Sequence, residues 1–290
     1  MTPSPTIRPL EPADIPETQR IAWAALEEQI PAEHRPATDR ELHARRARAR
    51  IAHLQSTDAG GAWVAEVDGE IAAVALALVR EGVWGLSLFA VRPGLQGQGI
   101  GRRVLQPALD YGNGARGGII LSTTDPRAMR RYFRAGFRIK PCVTAGGQIN
   151  RSRIPASLRS RPGDVHNDRH ELDAASRHVR SAAHGPDVEA MVAAGGELLV
   201  IDGHGFAVHR EGSPMVVAAT DDEAAADLLW GCLAGGPPGG TVHVDFISEG
   251  NDWAVRVALD AGLALGPEGP VFVRGETGPF APYLPSGAYL

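Results

Sequence analysis

Residues 63–91 read as three extended segments, WVAEV, EIAAVALALV and VWGLSLFAV, joined by two-residue turns at Asp68-Gly69 and Glu81-Gly82. Such short Gly-containing turns close antiparallel hairpins, because their backbone twist matches that of the flanking strands. A meander of three strands therefore precedes the first glycine-rich segment, Arg92 to Gly101, which runs directly into the amphipathic stretch RRVLQPALDYG. The order strand, glycine loop, helix follows. After it, GGIILST reads as a buried strand, DPRAMRRYFRAG as a short helix ended by Gly136, and FRIKPCV as a strand. Pro107 inside the first of these helices predicts a bend, since proline removes an interior hydrogen bond. Upstream, 11–29 and 37–54 have helical spacing, with Asp14 and either Thr38 or Asp39 as N-caps. Arg45, Arg46, Arg48 and Arg50 read as a solvated face of the second helix.

Residues 144–169 are rich in Gly, Pro, Ser and Arg and lack apolar periodicity, which marks a connector. Beyond it the order repeats: two helices, three strands, helix, strand, helix, strand. The endings RRYFRAGF and VRVALDAGL correspond. The expected class is α/β of the α+β kind, with two tandem domains, each a mixed, mainly antiparallel sheet flanked by helices. Their bounds are 1–145 and 169–290, with 146–168 as linker. At 290 residues the chain suits two domains, each large enough for its own core.

Composition excludes fibrous and wholly disordered classes: 43% of residues are apolar and 22% charged. No run approaches the ~20 apolar residues of a membrane span, and the N-terminus lacks the pattern of a secretory signal. Cys142 and Cys232 have no metal-like or CxxC spacing, which suits buried thiols in a reducing cytoplasm and no metal. Lys140 is the single lysine against 28 arginines, and these are scattered rather than gathered into a basic face. Nucleic acid is not an expected partner. Residues 1–150 carry a formal charge of +4 and residues 151–290 one of -9, so the first half better receives an anion.

Gly97, Gly99 and Gly101 between strand and helix leave successive backbone amides to face an anion, and the helix adds its positive end. A pyrophosphate is the natural ligand. Glycine serves because a Cβ would hold phosphate oxygens off and because positive φ is accessible to it. Arg102 and Arg103 add charge nearby. A P-loop is ruled out, for no Lys-Ser/Thr pair stands at the required spacing. The dinucleotide fingerprint GxGxxG is replaced by GxGxG after a meander, which leaves a dinucleotide-binding protein as the weaker alternative.

Gln96-Gly-Gln-Gly-Ile-Gly101 matches the [QR]xxGx[GA] signature, and by it the chain resembles the GNAT superfamily of acetyl-CoA-dependent N-acetyltransferases. Within Asp125 to Phe137, Ala128, Tyr132, Gly136 and Phe137 fall on the positions of the family's motif B. The resemblance covers residues 1–143 and implies two tandem GNAT-like domains, the second degenerate. It also implies direct transfer of acetyl from acetyl-CoA to a primary amine, with CoA as product. Phe89, Ala90 and Val91 would line the pantetheine, and Gln96, Gly97, Gln98, Gly99, Ile100, Gly101 and Arg102 would hold the pyrophosphate. Tyr132 would be the general acid: a phenol with pKa near ~10 stays protonated at neutral pH and can serve a departing thiolate.

Two features depart from the family's pattern. The fourth strand offers Ser87 where many relatives carry a glutamate base, and Asp125 replaces the asparagine that bonds the pantetheine, leaving that contact to Ser122, Thr123 or the backbone. Glu28, Glu81 and His53 are carboxylates and an imidazole within possible reach of a substrate groove. In the second half the passage VVAATDDEAAADLLWG has no glycines where phosphate would have to approach, and Asp221, Asp222 and Glu223 would repel phosphate. The uncharged tail GPFAPYLPSGAYL is expected to dock, and some tandem relatives place a terminal carboxylate in the active centre, which makes Leu290 a candidate base. The expected acceptor is a small-molecule or protein amine, with monomer and homodimer both open. A non-catalytic acyl-CoA-binding or regulatory protein is the alternative.

Overall fold

The computed structural model describes residues 4–28 and 40–290. The expected caps Thr38 and Asp39 lie outside them. Two compact units emerge: one of residues 1–79 and 84–115, the other of residues 80–83 and 116–290.

The first unit holds β1 (Thr6–Pro9), α1 (Ile15–Glu27), α2 (Arg40–Thr57), β2 (Ala62–Val67), β3 (Glu70–Arg80), β4 (Val83–Val91) and α3 (Ile100–Asp110), apart from the turn residues 80–83. Its strands lie in the order β1-β2-β3-β4, with β1 and β3 both antiparallel to β2. The meander stands where the sequence puts it, and its turns use the expected geometry: φ is 54° at Asp68 and 81° at Gly69, 45° at Glu81 and 77° at Gly82. Strand β1 carries no sequence signal of its own and forms by pairing with β2. Asp14 does not cap α1. Its carboxylate instead receives the Glu11 amide at 2.8 Å and the Arg8 guanidinium at 2.6 and 2.9 Å, which fastens a short turn ahead of the helix. In α2, Arg48 pairs with Glu41 at the surface. Helix α3 runs through Pro107 to Asp110 and is pinned beyond it, where the buried Trp84 indole donates to the Ala108 carbonyl at 2.9 Å.

The second unit combines elements from both halves of the sequence. From the first half come β5 (Gly117–Leu121), α4 (Pro126–Arg134) and β6 (Arg138–Gln148); from the second, β7 (Arg161–Pro162), α5 (Arg169–Arg180), α6 (Asp187–Ala193), β8 (Glu197–Ile201), β9 (Gly205–Arg210), β10 (Ser213–Ala219), α7 (Asp222–Ala234), β11 (Thr241–Ser248), α8 (Asp252–Asp260), β12 (Ala264–Gly275) and β13 (Tyr283–Leu284). Strands run β5-β12-β6-β11 in one sheet and β13-β10-β9-β8-β7 in the other. Strand β12 therefore inserts between β5 and β6, antiparallel to both, with Phe272 facing Ile120 on one side and Ile139 on the other. Ala145 of β6 joins a core built on Leu228, Leu229 and Cys232 of α7 and Trp253 of α8. Both cysteines are free and buried, and burial pushes their thiols up, to about 11 for Cys142.

The compact units divide elsewhere than the expected bounds of 145 and 169. The 146–168 stretch is tied down throughout: β6 continues to Gln148, the Asn150 amide donates to Ala261 O at 2.7 Å, Arg159 binds Asp227 and Arg161 binds Asp168. Its polar composition is that of a segment held by ion pairs, which local apolar periodicity does not report. Among the described residues no helix is long and apolar enough to cross a membrane.

Candidate active site

The loop after β4 is anchored at its base. The Arg92 amide donates to Ala72 O at 2.8 Å, while its guanidinium reaches Glu70, Glu17 and the Ile71 carbonyl. Gln96 turns its side-chain amide back onto Val91 O and Glu28, each at 3.3 Å, so it braces the loop from within. Above these anchors Gly94, Gly97 and Gly99 all have φ between 80° and 83°. A Cβ at any of the three would meet no atom within 4 Å, so conformation rather than crowding demands glycine there. At Gly101 the demand is packing: a Cβ would stand 3.0 Å from both Phe89 and Val91, the strand residues beneath the helix.

Gly99 is the N-cap of α3 and supplies no side chain to satisfy it. Among the described residues, no protein acceptor takes the amide hydrogens of Gly97, Gln98, Gly99, Ile100 or Gly101. Arg102 follows, exposed and without an ion pair among the described residues, whereas Arg103 donates to Ser4. The first turn of α3 contains no acidic residue. Unclaimed amides, a helix dipole and an adjacent guanidinium form a site for an anion with several oxygens.

In the second unit, Asp125 caps α4 by accepting the Arg127 amide at 2.8 Å, and it also binds the Arg127 guanidinium. This carboxylate is thus occupied with the helix start. Tyr132, one turn beyond Ala128, is 5% exposed and stacks edge-to-face on Phe272 with ring centroids 5.4 Å apart. Burial raises its phenol above the ordinary range, which keeps the proton on oxygen. Ser122 commits its amide to Pro270 O at 3.1 Å and its hydroxyl to Thr123 O at 2.8 Å, while the Thr123 hydroxyl accepts the Asp125 amide at 3.4 Å. Both side chains therefore shape the strand-to-helix turn.

Other candidates separate clearly. Glu81 binds Arg177 at 2.6 Å and accepts the Ala183 amide at 2.9 Å, contacts that lower its pKa to about 2 and make it a poor base. Glu28 is held to Gln96 in the first unit, where His53 lies half-exposed on α2. Leu290 is fully buried, its amide bonded to Ser286 O at 2.7 Å and its oxygen accepting from His184 Nε2 at 2.8 Å. The tail docks as expected, but inside the second unit, and its end is sealed from the water that a general base must address.

Glu268 was not singled out from the sequence. It lies on β12 opposite Cys142 of β6, half-buried, with Oε1 accepting the Gly269 amide at 2.8 Å. Burial foremost, and the charge of Asp245, raise its carboxyl pKa, against the opposing pull of the Gly269 amide and of His243. A Cβ at Gly269 would fall 1.8 Å from the Ser122 carbonyl, so this strand passes close over the end of β5. The inserted register of β12 sets Glu268 opposite Cys142 and brings Gly269 to that end.

The passage leading into α7 has the opposite character. Asp221 caps the helix by accepting the Ala224 amide at 2.8 Å, and Asp222 and Glu223 fill the first turn. The edge of β10 is taken by the chain's own tail, with Val217 opposite Leu284 and Ala218 opposite Tyr283. Asn251, at the position corresponding to Asp125, is fully buried and fastens that tail: its amide donates to Phe280 O at 3.2 Å and its oxygen accepts the Tyr283 amide at 2.8 Å.

Residues 19–137 match the acetyltransferase (GNAT) family. Among solved structures, a proposed acetyltransferase from Pyrococcus horikoshii is similar over 98% of this chain and 95% of its own, with a TM-score of 0.79 at 16% identity. A GCN5-related N-acetyltransferase from Sphaerobacter thermophilus is similar over 96% and 98%, with a TM-score of 0.58 at 17% identity. A third, a GCN5-related N-acetyltransferase from Kribbella flavida, aligns over 94% of this chain and 72% of its own, with a TM-score of 0.55 at 15% identity. At these identities the likeness is one of fold. No curated protein matches the chain.

Proposed function

We propose that the chain is an acetyltransferase of the GNAT family, whose model matches residues 19–137, and that it transfers the acetyl group of acetyl-CoA to a primary amine of a small molecule or a protein. The observation that carries this reading is the row of unclaimed amides from Gly97 to Gly101 at the start of α3. Those donors suit a diphosphate, Phe89, Ala90 and Val91 form the strand leading to them, and Arg102 adds positive charge. When bound, acetyl-CoA supplies an activated thioester and a thiolate leaving group.

Tyr132 is assigned the proton for that thiolate, because its buried phenol stays neutral through the physiological range. We assign the base to Glu268. A carboxylate with a raised pKa accepts a proton more readily than an exposed one, and the next residue, Gly269, passes close to Ser122 at the end of β5, the strand that leads to α4 and Tyr132. Leu290 has a structural role in this assignment. Two buried free thiols fit the cytoplasmic setting proposed here.

Calorimetry with coenzyme A and acetyl-CoA, followed by CoA release against a panel of amines, tests the proposal. Tyr132→Phe is expected to bind acetyl-CoA normally while turnover falls roughly 100-fold, the usual scale for loss of an acid catalyst. Glu268→Gln is expected to remove the rise of kcat/KM with pH on the acidic side. Absence of CoA uptake by folded protein overturns the assignment, and uptake without amine-dependent release assigns an acyl-CoA sensor instead.

A further inference from the structure

Helix α4 turns Tyr132 inward and its opposite side outward. On a helix of about 3.6 residues per turn, Phe133, Arg130, Arg134 and Arg127 fall side by side on that outer side, and all four are exposed. Phe133 is 61% exposed, more than any other large apolar side chain among the described residues. Ile139 extends the patch. It lies directly opposite Phe272, on whose ring Tyr132 stacks, so it shares the side of the sheet that α4 covers, and it is 44% exposed. Arg274, two residues beyond Phe272 on the same side of β12, reaches the Ala135 carbonyl at the end of α4 and lies over the Phe137 ring. No acidic residue occurs from Pro126 to Gln148. Arg127 is paired with Asp125, whereas Arg130, Arg134 and Arg274 have no ion pair among the described residues. The helix dipole favours a cation in the last turn, which accounts for Arg134 but not for Arg130 or the exposed ring.

Arginine and aromatic side chains without acidic neighbours are the composition of a surface that receives another protein. The planar guanidinium binds both oxygens of a carboxylate, and Phe133 and Ile139 add apolar contact area that a bare phosphate backbone does not use. Spacing narrows the partner further. Arg130 and Arg134 stand about one turn apart, a rise of ~6 Å, and alternate residues of an extended chain stand ~6.6 Å apart on one side. We propose that the outer face of α4 docks an acidic segment of a partner protein, held extended, with acidic residues at alternate positions and an apolar residue beside them for Phe133 and Ile139. That face is turned away from Tyr132, and the docking does not rest on the acetyl-CoA reading.

The test is fluorescence anisotropy on the full chain with a labelled peptide carrying glutamates at alternate positions and a leucine at each end, set against its glutamine counterpart. The glutamate peptide is expected to bind at least ~10-fold tighter than the glutamine one, and less tightly as salt rises. Arg134→Glu is expected to weaken binding at least ~10-fold and Phe133→Ser about 3-fold. Arg45→Glu makes the same change of charge at an exposed position on α2 and is expected to leave the affinity unaltered. Thermal melting checks that each variant is folded; should Arg134→Glu not fold, Arg130→Gln replaces it, with a loss of about 3-fold expected. Phosphatidylserine–phosphatidylcholine vesicles and a labelled thymidine oligonucleotide are titrated alongside. Preference for either over the peptide overturns the proposal, in favour of a membrane surface or a single-stranded nucleic acid. Equal affinity for the two peptides overturns it as well, as do equal losses in the α4 variant and in Arg45→Glu.

Discussion

The two strand-to-helix passages of this chain have the same place in the element order and opposite electrostatics. Ahead of α3 the backbone turns through glycines with positive φ and, among the described residues, leaves five consecutive amides unclaimed; ahead of α7 an aspartate caps the helix and two further acids follow it. The same contrast extends to the short helices beyond: Asp125 caps α4, whereas Asn251, its counterpart, binds the chain's own tail along β10. One helix start is open to an anion, and the other is satisfied internally. A repeated element order therefore carries two helix starts of different chemistry, because the capacity to receive an anion depends on which backbone donors are left unsatisfied.

The strongest way to break the contrast is to import the second passage into the first. Gly99→Asp places a carboxylate at the N-cap of α3, where it would claim amides and repel phosphate; calorimetry should show coenzyme A affinity falling roughly 100-fold, about 2.7 kcal/mol. Next in size is Asn251→Ala, which strands the buried Tyr283 amide and loosens the tail; urea denaturation should register a loss of about 2–3 kcal/mol. Coenzyme A binding should survive it. Asp221→Ala removes the cap of α7 and should cost about 1 kcal/mol of stability in the same assay, with no coenzyme A site gained in return.

The smallest expected effect comes from Glu81. Its folded pKa is depressed to about 2 from 4.5, so its ion pair contributes stability above the unfolded value and loses it as pH falls through the folded one. Because the pair is substantially exposed, Glu81→Gln should cost at most about 1 kcal/mol at pH 7. Melting curves of variant and parent should converge near pH 2, with the glycine loop's affinity for coenzyme A at neutral pH unaltered.

Much of this was legible in the chain itself. The hairpin turns at Asp68-Gly69 and Glu81-Gly82, the glycine loop, the acid-capped counterpart at Asp221 and the helix carrying Tyr132 rest on local rules of φ, capping and periodicity. Strands β1 and β13 were not legible, since four residues and two residues carry too little pattern, and each exists through its partner's register. Asp14 gave a plausible cap signal, but a long-range partner, Arg8, claimed it together with the Glu11 amide.

From sequence alone followed the order of the longer elements, the glycine turns of residues 97–101 and the acidity of the second passage, all consequences of interactions between residues close along the chain. Tertiary structure alone decided that β12 would lie between β5 and β6, bringing Gly269 over Ser122, and that Arg180 would be buried. Strand exchange and burial of charge depend on pairings between residues far apart along the chain. Many such registers are compatible with one local pattern, and the packed core selects among them.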